Sequence, residues 1–140
     1  MVLYKTYSMN QRSLDRLKGV KQILVDILVE ASKDSPYPFE ISPDGGKRTA
    51  ERQNELFLKG ASKCDGFKIK GKHQTGDAYD LYLNKEVGSA MWDKAKLKKV
   101  QHHIKEVAQM EFGVTLSLGC DWLKKPTDEF GWDCPHGELR

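Results

Sequence analysis

The sequence predicts a small α+β domain, a short antiparallel sheet flanked by helices. Three observations predict it: two amphipathic helical stripes, a short alternating segment between them, and the lack of any internal repeat or low-complexity run. At 140 residues the chain has room for one core, so a single domain over residues 1–140 is expected. Apolar residues at 39% and charged residues at 31% are the balance of a chain that folds on its own, which excludes a disordered protein.

Met1 to Asn10 contain no apolar run of signal-peptide length, so synthesis and folding in the cytoplasm are expected. Val20, Ile23, Leu24, Ile27, Leu28 and Ala31 recur at spacings of three and four, one face of a helix that Val25 and Val29 widen. The prolines of Ser35-Pro36-Tyr37-Pro38 end it, because each disfavours helix at the residue before it. Phe39-Glu40-Ile41 then alternates like a short strand, and Pro43-Asp44-Gly45-Gly46 makes a turn.

A second helix is expected from near Thr49 through Gln53, Leu56 and Phe57 to Gly60, the residue type favoured just past a helix end. Cys64-Asp65-Gly66 is a loop, and Lys68, Lys70 and Lys72 alternate as on one strand face. Ala78 to Leu83 reads as a strand that carries Asp80. Leu97, Val100, Ile104, Val107, Ala108 and Phe112 mark a helix from about Trp92 to Phe112, closed by Gly113. Val114 to Leu118 reads as a strand and Gly137-Glu138-Leu139 as a last one, so deleting even a few terminal residues should damage the protein.

Several function classes fall away at this point. The longest apolar stretch, Ile23 to Val29, is broken by Asp26 and is far short of the roughly 20 residues a membrane helix needs. A net charge of +3 without a concentrated patch gives no reason to expect nucleic acid as a partner. Lys94, Lys96, Lys98 and Lys99 read as the solvated face of a helix. Cys64, Cys120 and Cys134 form no Cys-x-x-Cys pair and are expected to be buried free thiols. His102 and His103 point about 100° apart on a helix, cannot face one metal together, and are expected at the surface.

One constellation carries chemistry. A catalytic zinc takes three protein ligands from His, Asp, Glu or Cys and keeps one position open for water. His73 and Asp80 flank Gln74 to Tyr79, where Gly76 lets the backbone turn and small Ala78 leaves room. The third candidate is His136, in Asp133-Cys134-Pro135-His136. Cys134 could compete as a ligand, and the other reading is a small buried residue facing away.

Together these segments resemble the zinc peptidases of bacterial cell walls. That family includes D-alanyl-D-alanine carboxypeptidases and the L-alanyl-D-glutamate peptidases used as phage endolysins. The resemblance rests on Gly46-Lys47-Arg48-Thr49 with Arg52-Gln53, Gly60-Ala61-Ser62, His73 to Asp80, Gly119-Cys120-Asp121-Trp122 and Asp133 to Leu139, in family order over roughly residues 8 to 140. It implies the small α+β fold shared with the Hedgehog signalling domain, with Zn2+ held by His73, Asp80 and His136. It also implies that Asp133 is the general base, that Arg48 contacts substrate or the developing oxyanion, and that Gln53 binds substrate with it. The implied substrate is the stem peptide of peptidoglycan, cut at the L-alanyl-D-glutamate bond by a monomer. Chemistry agrees, because a carboxylate beside an activated water can take its proton and pass it to the leaving amine.

Two positions depart from the family. Gly71 stands where many members have a serine two residues before the first histidine, and Gly137 replaces the common aromatic after the second, which is expected to open space near the metal. The rivals are a D-alanyl-D-alanine carboxypeptidase or dipeptidase with the same zinc chemistry, and a zinc-stabilised cell-wall-binding domain without turnover. Asp133 argues against the last, since a structural zinc site has no use for a base.

Overall fold

The computed structural model describes residues 9–140, and the reading of Met1 to Asn10 lies largely outside them. Its first helix, α1 (Gln11–Arg16), is absent from the sequence reading because it has no apolar stripe: its only buried residue is Ser13. Polar contacts hold it instead. Asn10 Oδ1 accepts from Ser13 N at 2.9 Å and caps the helix. The Asn10 amide then donates to Glu40 at 2.6 Å, Arg12 grips both Glu40 oxygens at 2.8 and 2.9 Å, and the Tyr82 hydroxyl donates to it at 3.1 Å. Burial would push the Glu40 carboxyl up, but these donors hold it below the usual carboxylate range.

The two helical stripes become α2 (Gln22–Ser32) and α4 (Lys94–Phe112), packed on each other. Leu24, Ile27, Leu28 and Ala31 of α2 are fully buried, as are Val100, Ile104 and Ala108 of α4. Each large side chain so placed contributes roughly 1.5–3 kcal/mol. α4 starts two residues later than expected, because Asp93 caps it by accepting from Lys96 N at 2.9 Å; Gly88–Trp92 ahead of it is a 3-10 turn. Gly113, at φ 65°, takes the left-handed conformation that closes it. α3 (Ala50–Leu58) begins after Thr49, whose hydroxyl accepts from Arg52 N at 3.1 Å.

The strands are β1 (Phe39–Ile41), β2 (Ala78–Leu83), β3 (Leu116–Leu118) and β4 (His136–Leu139), in one antiparallel sheet of order β1-β2-β4-β3. The last strand is therefore central. Alternation sends Tyr79, Leu81 and Leu83 to one face, where the Tyr79 hydroxyl donates to Gln101 of α4 at 2.6 Å. Asp80 and His136 occupy the other. No described helix is long and apolar enough to cross a membrane.

Three expectations are corrected. Lys68, Lys70 and Lys72 lie on no strand, because Asp65 Oδ1 accepts from the backbone N–H groups of Phe67, Lys68 and Ile69 at 3.0, 2.9 and 2.8 Å and curls the segment into a loop. His103 is not a plain surface residue: its Nε2 lies 3.1 Å from the Ala31 carbonyl, tying α4 to the end of α2. Gly137 opens no space near His136. It faces the opposite side of the sheet, where the Tyr79 ring fills the room that any side chain at this position would need.

Candidate metal centre

Asp80 and His136 are direct register partners across β2 and β4, so the pleat points both side chains the same way. Asp80 Oδ1 lies 3.1 Å from His136 Nδ1. His73 comes from the loop before β2, which Gly76 turns at φ 75°, pressed so close to Gly19 that a side chain would collide. Backbone bonds from Lys21 N to Gly76 O and from Arg48 N to His73 O, 2.9 and 3.1 Å, pin that loop. The result puts His73 Nε2 3.3 Å from Asp80 Oδ2, with the two imidazole centroids 5.1 Å apart.

His73 Nδ1 lies 2.9 Å from the Gly46 carbonyl, an acceptor, so this nitrogen carries the proton and Nε2 presents a lone pair. That Nε2 is buried and has no hydrogen-bond partner among the described residues. It lies within ion-pair distance of Asp80 but out of hydrogen-bond alignment, and a bare lone pair facing a carboxylate calls for a cation between them. The donor atoms of His73, Asp80 and His136 all fall within 4.8 Å of one another, so the group could hold a metal ion, and the residues fit one.

The other ring nitrogen of His136, Nε2, lies 2.8 Å from Glu138 Oε1, which fixes the ring and leaves Nδ1 toward Asp80. Without a metal, burial disfavours the charged ring, yet hydrogen bonds to Asp80 and Glu138 outweigh it and raise its pKa to about 9. Burial likewise opposes ionisation of Asp80, and the hydrogen bond and charge of His136 work against it, in a setting that holds that carboxyl well below the usual range. Asp133 behaves in the opposite way: burial and the charge of Asp80 push its carboxyl up. Its Oδ2 stands 3.9 Å from His136 Nδ1, in the lining of a cleft of about 580 Å³.

Arg48 lines that cleft but is engaged, with Nη2 donating to Asp80 Oδ2 at 3.1 Å and Nη1 to Gln53 Oε1 at 3.4 Å. Gln53 is 1% exposed and spends its amide on Ser62 Oγ at 2.6 Å and the Cys64 carbonyl at 3.0 Å. It holds the cleft wall from behind. Cys134 is buried, and its Sγ donates to the Gly131 carbonyl at 3.6 Å, away from the donor group.

Sequence reasoning missed two contributors. Glu138 was visible only as the residue after the second histidine motif, and its bond to His136 follows from i, i+2 alternation along β4. Trp122 was quoted without a role; its ring lies 5.2 Å from those of both His136 and Trp132, and its Nε1 donates to Ser117 Oγ at 2.9 Å.

Two buried histidines and a carboxylate, with a second carboxylate of raised pKa lining the same cleft, are the equipment of a metal-dependent hydrolase. Residues 5–140 match the family described as phage L-alanyl-D-glutamate peptidase, and the chain belongs to it. It is thus a peptidoglycan hydrolase. Among solved structures it is similar to the Serratia marcescens L-Ala D-Glu endopeptidase ChiX, at 25% identity and a TM-score of 0.73, over 97% of this chain and 92% of that one. No curated protein sequence matches the chain.

Proposed function

We propose that this L-alanyl-D-glutamate peptidase is zinc-dependent, with His73 Nε2, Asp80 and His136 Nδ1 holding the metal. The observation that carries this reading is the buried, partnerless Nε2 of His73, aimed at Asp80. The chemistry zinc supplies in such a site is Lewis acidity, which polarises a scissile carbonyl and makes water nucleophilic near neutral pH.

Asp133 is the general base: it takes the proton of the attacking water and returns it to the leaving amine. Its carboxyl, pushed up by burial and by Asp80, is suited to hold that proton between the two steps. Arg48 offers positive charge to a substrate carboxylate or to the developing oxyanion while it holds Asp80. Gln53 serves the substrate side through Arg48 and the 62–64 loop rather than by direct contact. The enzyme is read as a monomer, made in the cytoplasm and reaching the wall once the membrane opens; all three donors coming from one chain supports the first of these.

The test is digestion of purified peptidoglycan with and without chelator, read by mass spectrometry of the muropeptides. New L-alanine carboxyl termini that vanish with chelator and return with zinc are expected. Release of terminal D-alanine instead would point to the carboxypeptidase rival, and chelator-resistant cleavage would refute zinc dependence.

A further inference from the structure

Outside the cleft, α4 and the Gly119–Asp121 turn bring three chemically different metal donors together. His102 Nε2 lies 2.8 Å from Asp121 Oδ1, and Cys120 Sγ lies 3.9 Å from the same oxygen. All three donor atoms fall within 4.8 Å of one another. We propose that His102, Cys120 and Asp121 form a second metal site, for a zinc-class divalent cation.

Bond lengths of about 2.0–2.3 Å around a tetrahedral zinc require donors about 3.3–3.8 Å apart. The sulfur–oxygen spacing of 3.9 Å lies just above that range and the nitrogen–oxygen spacing of 2.8 Å below it, so the first needs to close slightly and the second to open by about half an ångström. A thiolate, an imidazole and a carboxylate suit zinc or cobalt, whereas magnesium and calcium take oxygen donors. The side chains of His102 and Asp121 are 49% and 38% exposed, so a cation enters from solvent and water completes its shell. Cys120, fully buried, supplies the anchor from behind. As the cation binds, the thiol gives its proton to water and the sulfur bonds as thiolate.

The bland alternative is a surface ion pair between His102 and Asp121. Such pairs contribute little, and this one already takes in the thiol, because Cys120 Sγ donates to Asp121 Oδ1 at 3.9 Å; the two readings therefore separate on cation binding itself. Asp121 is followed in the chain by Trp122, whose ring lies 5.2 Å from that of His136.

Cobalt(II) titration of the metal-free full chain tests the site independently of the catalytic reading. The proposed donors of the cleft contain no sulfur, so a thiolate-to-cobalt charge-transfer band, once shown to be independent of Cys64 in the cleft lining and of buried Cys134, reports on the second site. Two equivalents are expected, with a band that Cys120→Ala abolishes and that Cys64→Ala and Cys134→Ala retain. His102→Ala, at an exposed position that tolerates substitution, should weaken the cobalt binding reported by the band on the order of tenfold or more. That variant decides the question even where Cys120→Ala folds poorly. A single equivalent without the band, a band that follows Cys64 or Cys134, or one indifferent to His102→Ala overturns the proposal.

Discussion

Asp80 and His136 face each other in register across the β2–β4 pair, and their side chains meet at 3.1 Å although 56 positions separate them in the chain. Strand pairing, rather than local sequence, thus sets the distance between two of the three donors. A variant can remove a donor without disturbing that pairing, because the backbone bonds of the sheet do not pass through the side chains.

His136→Ala should lose both the cleft metal and activity, whereas Asp133→Asn should keep metal and fold but lose about a hundredfold or more in turnover. Asparagine keeps the shape of aspartate but cannot take a proton. Cleft-metal content and peptidoglycan cleavage are measured side by side. Near-normal cleavage by Asp133→Asn would exclude it as the base, and loss of metal there would recast it as a ligand.

Glu138→Ala should weaken metal binding by about 10–100-fold, because the His136 ring loses the acceptor that fixes its orientation. Glu138→Gln, which still offers an oxygen to Nε2, should recover most of it. Competition with a chromophoric chelator gives both affinities, and equal losses in the two variants would rule out an orienting role.

Gly71→Ser should fold and keep its metal. The backbone there is not in the left-handed region, and an added Cβ meets the Gln53 carboxamide at 3.3 and 3.5 Å and Cys64 Cβ at 3.7 Å, so Gln53 has to give by a few tenths of an ångström. The cost should stay within about 1 kcal/mol in thermal unfolding, with KM for peptidoglycan unchanged or lower. Gly137→Ala is the contrast: the new methyl collides with the Tyr79 ring, itself locked by Gln101, and overpacking should cost about 1–3 kcal/mol.

Glu40→Gln should destabilise the protein at pH 7 by about 1–2 kcal/mol. Because the folded carboxyl sits below its unfolded value, its contribution is present above the unfolded pKa and is lost as pH falls through the folded one. The penalty of the substitution should therefore shrink in acid. Urea midpoints measured from pH 7 down to pH 3 check this, and a constant gap between the two proteins would contradict it.

Much of this was legible before the fold was known. The stripes of α2 and α4 and the alternation of β2 are written in apolar spacing, and His73, Asp80 and His136 could be singled out from residue type and order as a group able to hold a metal. What could not be read is non-local or polar. The six residues of α1 hold on through Glu40, and nothing near Gln11 announces a partner on a strand 28 positions away. Nor does the tail of β4 reveal that it lies between β2 and β3. Gln53 shows the same gap: its residue type suits substrate contact, but only packing shows its amide already committed.

The central position of β4 has a further consequence for how the molecule opens. An ion bound between β2 and β4 would close a long loop much as a cross-link does, so the sheet could not part in the middle without releasing it. Amide hydrogen exchange in β2 and β4 should then slow sharply with the metal bound, while the outer strand β1 should respond less. A cell wall hydrolase built this way would lose its catalytic ion at the first breach of its sheet, and so become inert before it is fully unfolded.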